Sequence, residues 1–334
     1  MAKFDAANLP IIDFAKIVGK GTSEDSCSAA ASHAEKKELF RALKDVGFVY
    51  LQHPGVSQST VDTLFAHSKT FFDQPEAAKV KLLGSQDRPR GPSQGWSSPV
   101  RFSARPETSD LKEFFGIYRD DDAERPNQWP EGWGQLRADY TSFFETCHGV
   151  LGVLLHVLAE EIGLEVDFFD SFISEKNHFS AMIYYPEVPL ASFKDRVRSA
   201  THTDYGCMTL LFNDGGEGLQ VAGSDGDFHY VPRKPDCAVV NVGDLLSRLF
   251  NGDLRSTRHR VIEPPPKADA KGVVPARYSL AFFGHFNPDL RVEPLAACVS
   301  TDHPRQFEAV VAGEHVKQRV TQLHVAGHSL TQKS

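Results

Sequence analysis

The chain has 334 residues, of which 41% are hydrophobic and 24% are charged, close to the average for globular proteins. This composition excludes a largely disordered, collagenous or coiled-coil protein, and the length allows about two domains or one large one. The net charge of −8 argues against a general nucleic-acid binder, which needs a basic face.

The first half of the chain alternates β-rich and helical patterns. Residues 9–14 and 48–52 are rich in β-forming side chains and predict two strands. Residues 20–32 are rich in Ser, Gly and Ala and predict a surface loop, whereas residues 84–132 hold much Pro, Gly and Trp and predict irregular loops with short strands. Apolar residues at helical spacing predict helices over residues 34–47, 61–72 and 134–162.

After residue 175 the apolar pattern changes from the helical period to alternation, with turn residues between short runs. Many short strands separated by turns are typical of an antiparallel sandwich or jelly roll. No linker-like composition separates the two halves, so we expect one compact unit, mainly β with flanking helices. The strands are expected over residues 181–185, 207–212, 218–221, 228–231, 238–242, 257–262 and 277–284.

The cellular location is predicted from cysteine usage and from apolar segments. The five cysteines are scattered and form no Cys-x-x-Cys pair, so we expect neither a disulfide scaffold nor a thiolate zinc site, and we expect a cytoplasmic protein. The N-terminal sequence does not resemble a signal peptide, and the longest apolar stretch, residues 150–159, is too short to cross a bilayer. We expect no nucleic-acid, membrane or obligate protein partner.

A candidate metal site is indicated by the segment Thr201 to Gly206 (THTDYG). His202 and Asp204 lie two residues apart at the start of a β-rich run, so their side chains share one face if that run is extended. A second histidine, His259, follows 57 residues after His202. Two histidines and one carboxylate are the ligands of non-haem Fe(II) sites that leave positions open for O2 and an organic ligand. A surface hydrogen-bonded His–Asp pair is the alternative.

A carboxylate anchor is predicted 18 residues beyond His259. Arg277 and Ser279 alternate on one face of a predicted strand, and a guanidinium beside a hydroxyl offers a bidentate pair plus a third hydrogen bond to a carboxylate. A metal triad followed by such an anchor describes a site for a 2-oxo acid on iron. The alternative is that Arg277 is an exposed strand charge.

These motifs resemble the isopenicillin N synthase-like branch of the Fe(II)/2-oxoglutarate-dependent dioxygenases. The resemblance covers nearly the whole chain. It rests on segments that occur in order along the sequence, namely LPIIDF, ELFRALKDVGFVYLQHPGV, FFDQP, DLKEFFG, MIYYP, HTDYGCMTLLF, GLQV, VNVGDLL, NGDLRSTRHRV and RYSLAFF.

The family resemblance implies a double-stranded β-helix (jelly roll) core in residues 176–334, which also hold a C-terminal helix, and an α/β region in residues 1–175 packed on that core. It implies Fe(II) bound by His202, Asp204 and His259, with 2-oxoglutarate and O2 as cosubstrates.

The resemblance further implies that Arg277 and Ser279 bind the distal carboxylate of 2-oxoglutarate and that Tyr185 hydrogen-bonds this cosubstrate. The family usually has Asn where this chain has Ile183. This departure puts the polar contact on that side of the site in doubt.

The resemblance also implies substrate contacts, since the region around DLKEFFG and the residue six beyond the anchor arginine often face the substrate. The residues concerned are Trp96, Phe114, Phe115 and Phe283. Each is otherwise ordinary core material. Three arginines in the variable loops are candidates to meet an anionic substrate or are solvated charges, namely Arg88, Arg90 and Arg101.

The expected reaction is oxidation of a small organic molecule, most often hydroxylation in this family, with release of succinate and CO2, and specialised metabolism is the expected setting. Desaturation or ring rearrangement use the same triad. An isopenicillin N synthase-type oxidase that uses iron and O2 without 2-oxoglutarate is the nearest alternative. A non-catalytic jelly-roll binding module and a zinc hydrolase using the same ligands are the others.

Overall fold

The protein is described by a computed structural model over residues 8–19, 26–83, 94–98, 110–123, 125–265 and 272–326. The helices are α1 (Phe14–Ile17), α2 (Ser26–Asp45), α3 (Gln58–Phe72), α4 (Glu76–Val80), α5 (Gly134–Glu161), α6 (Asp244–Leu249) and α7 (Ala312–Ala326). The strands are β1 (Ile11–Asp13), β2 (Phe48–Gln52), β3 (Gly95–Ser97), β4 (Glu113–Ile117), β5 (Phe179–Tyr185), β6 (Val188–Pro189), β7 (Ser199–His202), β8 (Met208–Asn213), β9 (Leu219–Ala222), β10 (Phe228–Tyr230), β11 (Cys237–Val242), β12 (His259–Val261), β13 (Val273–Val274), β14 (Arg277–Gly284), β15 (Arg291–Val292) and β16 (Val310–Val311).

Two facing sheets form the centre of the molecule. Among the described residues, the large sheet has eight strands in the order β1-β2-β11-β8-β14-β5-β4-β3, and the small sheet has four in the order β10-β9-β12-β7. Apolar side chains from both sheets, such as Tyr50 and Val239 from the large one and Val221 and Val261 from the small one, form a common buried cluster. This arrangement confirms the predicted jelly-roll core with flanking helices.

The helices cover the outer face of the large sheet. Leu151 and Leu154 of α5 are fully buried and belong to the same core cluster as Leu280 and Phe282 of β14. By length and composition α5 resembles a membrane-spanning helix, yet 56% of its most apolar window is buried inside the protein. The apolar stripe predicted for this helix therefore packs under the sheet, as a core helix does.

Strands from both predicted regions of the chain pair with one another. β2 pairs with β11, and β4 pairs with β5, so residues on either side of position 175 share one sheet. The division into residues 1–175 and 176–334 stays a prediction. Strands of the two regions are hydrogen-bonded to each other within one sheet.

Two local predictions were wrong. Helix α2 begins at Ser26, so the described part of the predicted 20–32 loop is helical, because its alanines favour a helix and nothing there breaks one. His202 was expected at the start of a strand shared with Asp204. It instead ends β7, and Asp204 lies in the turn before β8.

A buried ion pair joins the β3–β4 edge to α4. Lys79 and Glu113 are 4% and 6% exposed, and their Nζ and Oε2 atoms are 3.0 Å apart. Lys79 Nζ also donates to the carbonyl oxygen of Phe72, and Trp96 Nε1 donates to Glu113 Oε2. Removing one partner of such a pair leaves the other charge buried without compensation.

We predict that Lys79→Met lowers the free energy of unfolding by about 3 kcal/mol, because Glu113 loses its buried counter-charge. The control is Lys69→Met, which removes an exposed pair with Asp73 and should cost less than about 1 kcal/mol. Urea denaturation of both variants measures the difference. Equal losses in the two variants would contradict a structural role for the buried pair.

Candidate active site

The three predicted metal ligands meet between the two sheets. Candidate ligand atoms of His202, Asp204 and His259 all lie within 4.8 Å of one another. Nε2 of His202 is 3.8 Å and Nε2 of His259 is 3.6 Å from Asp204 Oδ1. The imidazole rings have centroids 4.3 Å apart at an angle of 52°. This arrangement leaves two imidazole nitrogens and one carboxylate oxygen directed at a common point.

Hydrogen bonds on the far side of each ligand fix this orientation. Nδ1 of His202 is 2.7 Å from the carbonyl oxygen of Ala200, and Nδ1 of His259 is 3.2 Å from that of Thr257, so each ring carries its proton on Nδ1 and keeps Nε2 free. Outer partners of this kind set the tautomer and orientation of metal-binding histidines.

The carboxylate is held in the same way. Asp204 Oδ2 accepts hydrogen bonds from Thr209 Oγ1 at 2.6 Å and from Asn241 Nδ2 at 2.7 Å. Oδ1 is therefore the oxygen left for a metal. Thr209 and Asn241 were not singled out from the sequence. Their signals in the sequence are their places on two predicted strands and within the family segments HTDYGCMTLLF and VNVGDLL.

The protonation states suit a cation. Burial, and next the neighbouring His259, lower the pKa of His202 to about 4. Burial by itself raises the pKa of Asp204, but the two histidines and the two hydrogen bonds outweigh it and hold that pKa below its ordinary value. At neutral pH His202 is thus neutral and Asp204 ionised, which are the forms that bind metal.

The C-terminal helix α7 supports the ligand segment through Arg319. Its Nη2 donates to Thr203 Oγ1 at 3.1 Å, and its Nε lies 3.2 Å from Asp244 Oδ2. Its guanidinium lies 5.0 Å from the centre of the Tyr205 ring. The backbone N–H of Asp244 donates to the carbonyl oxygen of Asp204. Arg319 therefore connects a distant helix to the turn that presents Asp204.

The predicted carboxylate anchor is buried on the inner face of β14. Arg277 is 1% and Ser279 0% exposed, and both Arg277 Nη1 and Ser279 Oγ are buried without a hydrogen-bond partner. Buried polar groups nearly always have partners, so these two atoms are fitted to a ligand that supplies acceptors. The donor set, a guanidinium beside a hydroxyl, suits a carboxylate.

The surroundings of Arg277 hold it in place. Its Nε donates to the carbonyl oxygen of Gly216 at 3.0 Å, and a Cβ at residue 216 would come within 2.6 Å of the arginine side chain, so only glycine fits there. The guanidinium lies 4.8 Å from the centre of the Tyr185 ring. Tyr185 thus lies beside Arg277, and Ile183 lies opposite Ser279 across β5 and β14.

A second buried arginine, Arg198, was missed in the sequence. It is 2% exposed, lies 5.8 Å from the Tyr185 ring centre, and donates to the carbonyl oxygen of Pro275. Burial, and next the charge of Arg277, lower its pKa to about 10. Two guanidinium groups therefore flank the same tyrosine, which gives this end of the candidate site a positive potential.

The four aromatic residues expected near the substrate lie on opposite faces of the large sheet. Phe114 and Phe283 belong to an inner cluster with Phe179 and are partly exposed. Trp96 and Phe115 are fully buried in the core on the helix side. We therefore assign the latter two to packing. Arg88, Arg90 and Arg101 lie outside the described residues.

Comparison with known proteins agrees with this geometry. Residues 176–286 match the family model of the 2OG-Fe(II) oxygenase superfamily, and residues 9–132 match that of the non-haem dioxygenase in morphine synthesis N-terminal region. The chain belongs to the 2OG-Fe(II) oxygenase superfamily. It is accordingly an Fe(II)- and 2-oxoglutarate-dependent oxygenase that oxidises a small molecule with O2.

Individual relatives span most of the chain. A proline hydroxylase, buaE, of Petromyces alliaceus is 32% identical over 86% of this chain and 93% of its own. A 2-oxoglutarate-Fe(II) type oxidoreductase, ppzD, of Metarhizium rileyi is 30% identical over 87% and 86%. The crystal structure of a full-length Neurospora crassa protein in complex with alpha-KG and thymine superposes with a TM-score of 0.85 at 28% identity, covering 96% of this chain and 99% of that one.

We predict that Asp204→Ala abolishes turnover and weakens Fe(II) binding by more than about 100-fold, since loss of an outer partner alone costs up to that factor. The control is Asp225→Ala, which removes an exposed carboxylate in the β9–β10 turn. Fe(II) titration of the metal-free protein compares the two. An Asp204→Ala variant that retains iron and activity would overturn the ligand assignment.

We predict that Arg319→Ala weakens metal binding by about tenfold because the turn carrying Asp204 loses its contact with α7. Arg319→Lys should recover part of the loss. Arg305→Ala, which removes an exposed pair with Glu293, is the control. Co(II) titration followed by visible absorption gives affinity and ligand geometry. Unchanged affinity and spectrum in Arg319→Ala would assign α7 a purely structural role.

Proposed function

We propose that His202, Asp204 and His259 hold the iron of this oxygenase and that Arg277 and Ser279 bind the distal carboxylate of 2-oxoglutarate. The observation that carries this assignment is the pair of unpartnered buried donors, Arg277 Nη1 and Ser279 Oγ, on the inner strand face whose Phe283 lies opposite Thr209, the residue that holds Asp204 in the cluster of three convergent ligand atoms. A buried guanidinium and hydroxyl with open hydrogen-bonding capacity fit a carboxylate better than any neutral group.

When bound, iron and 2-oxoglutarate together activate O2, with release of succinate and CO2 and oxidation of the substrate. The chain's own residues make this possible by position. Thr209 and Asn241 keep Asp204 Oδ2 occupied, and Ala200 and Thr257 keep the histidine Nε2 atoms free. Arg277 and Tyr185 would hold the cosubstrate at its distal carboxylate and so orient its other end toward the metal ligands.

We infer that the reaction is hydroxylation of a small molecule in specialised metabolism, carried out in the cytoplasm. The proline hydroxylase relative supports hydroxylation. The small molecules that relatives name, proline and thymine, differ so much that neither transfers to this chain. The oxidase alternative, which uses no 2-oxoglutarate, is not favoured because the relatives are 2-oxoglutarate enzymes. Phe114 and Phe283 are the proposed substrate contacts from the inner face.

We predict that Arg277→Ala raises the apparent constant for 2-oxoglutarate roughly 30- to 1000-fold, equivalent to about 2–4 kcal/mol for a lost bidentate charge-assisted contact. The control is Arg291→Ala, whose side chain is 69% exposed. Succinate formation at varied 2-oxoglutarate measures both variants. If 2-oxoglutarate dependence is unchanged in Arg277→Ala, the anchor assignment fails and the oxidase alternative gains.

A further inference from the structure

The inner face of β14 continues past the carboxylate anchor toward the metal. Side chains of alternate residues share a face, so Arg277, Ser279, Ala281 and Phe283 follow one another along it. Phe283 stacks on Phe179, with ring centroids 6.1 Å apart at 21°. Both rings belong to an apolar cluster on the inner face of the large sheet. We call its members Phe114, Tyr118, Phe179, Ile183 and Phe283 the aromatic wall.

Strand register places this wall between the two halves of the site. Ile183 lies opposite Ser279, at the anchor end. Phe283 lies opposite Thr209, whose hydroxyl donates to the metal ligand Asp204. A molecule that lies along the wall is therefore held beside both the cosubstrate and the metal, where the reacting C–H bond has to be.

His285 stands at the metal end of the wall, just past the end of β14. Its side chain is 9% exposed and lies against Gly206, two residues after Asp204, because a Cβ on Gly206 would come within 2.6 Å of the imidazole Nδ1. Nδ1 is buried and has no hydrogen-bond partner. Burial lowers the pKa of His285 to about 4, so the ring is neutral and has one donor and one acceptor nitrogen.

The backbone of His285 is held by two further histidines. Its N–H donates to Nδ1 of buried His178 at 3.0 Å. His178 therefore carries its proton on Nε2, which is 2.9 Å from His148 Nδ1. This chain anchors the residue from the helix side and leaves its imidazole on the site side, with hydrogen-bonding capacity that the protein does not use.

Two charged side chains near the wall are paired within the protein. Lys112 Nζ lies 2.8 Å from Asp110 Oδ2 and donates to Ser199 Oγ. Arg125, whose guanidinium lies 4.5 Å from the Tyr118 ring centre, pairs with Asp122 at 2.8 Å. Within the described ranges, the wall thus offers aromatic surface and one neutral imidazole to a ligand.

We propose that His285 hydrogen-bonds the prime substrate, and that this substrate is an uncharged, flat molecule packed on the aromatic wall with one polar ring atom or group directed at the imidazole. The inference rests on the proposed function, since it places the substrate beside the proposed iron and 2-oxoglutarate sites. It assigns His285 to specificity, because a site that hydrogen-bonds a substrate discriminates strongly against an analogue that lacks the polar group.

The test uses matched ring compounds and the anaerobic Fe(II)–2-oxoglutarate holoenzyme. Indole and quinoline are compared with indene and naphthalene, which have the same shapes without the ring nitrogen, and indole-3-carboxylate is the anionic probe. Binding is followed as perturbation of the visible charge-transfer band, and probe-stimulated succinate formation is a second readout. We expect wild-type protein to prefer at least one nitrogen compound over its hydrocarbon by about tenfold.

The variants separate the hydrogen bond from the packing. His285→Phe should abolish the preference, His285→Asn should restore part of it through its amide, and Phe283→Ala should weaken all neutral ring probes alike. Melting temperature checks folding, and His303→Phe, which removes a contact with the carbonyl oxygen of Asn251, is the control.

Three outcomes would overturn the proposal. They are an unchanged preference in a folded His285→Phe protein, tighter binding of the anionic probe than of every neutral one, and no binding of any neutral probe. Formation of the charge-transfer band itself reports the proposed function. If the band forms and the probes do not discriminate, only this inference fails, whereas a missing band counts against the iron and 2-oxoglutarate sites.

Discussion

The hydrogen bonds that hold the Asp204 carboxylate in place are the interactions on which the rest of the site depends. A buried carboxylate is costly unless it is hydrogen-bonded and faces opposite charge. Thr209 and Asn241 satisfy one oxygen from neighbouring strands of the large sheet, whereas His202 and His259 come from the small sheet. The three candidate ligands therefore come together only when the two sheets face each other in the correct register, so the geometry of the candidate metal site depends on the jelly-roll fold.

Strand β14 determines the order of the functions along the cavity. Its outer face, with Leu280 and Phe282, packs in the helix-side core. Its inner face carries Arg277, Ser279 and Phe283 at two-residue spacing. Because a one-residue slip would exchange the two faces, the burial of Leu280 and Phe282 under α5 also keeps the anchor and the wall inside the cavity. Packing on one side of the strand thus determines which side chains line the other side.

Local patterns in the sequence predicted most elements and the site residues that belong to motifs. Strand alternation placed Arg277 and Ser279 on one face, and the spacing of apolar residues predicted the buried stripe of α5. Contacts between distant segments could not be predicted from the sequence. Arg319 donates to Thr203, which is 116 residues away in the sequence, and the contact of Arg198 with Tyr185 exists only in the folded chain. Alternation also failed to separate Phe114 from Phe115, since both are aromatic and only tertiary packing shows which face is inner.

The distribution of charge in the cavity explains why a dicarboxylic acid is a suitable cosubstrate. Arg277 and Arg198 flank Tyr185 at one end, and each has a buried nitrogen without a hydrogen-bond partner. The other end presents ligand atoms for a cation. A molecule with a carboxylate at one end and metal-binding oxygens at the other satisfies both ends at once. The wall between them, from Ile183 to Phe283, is apolar and adds no competing charge.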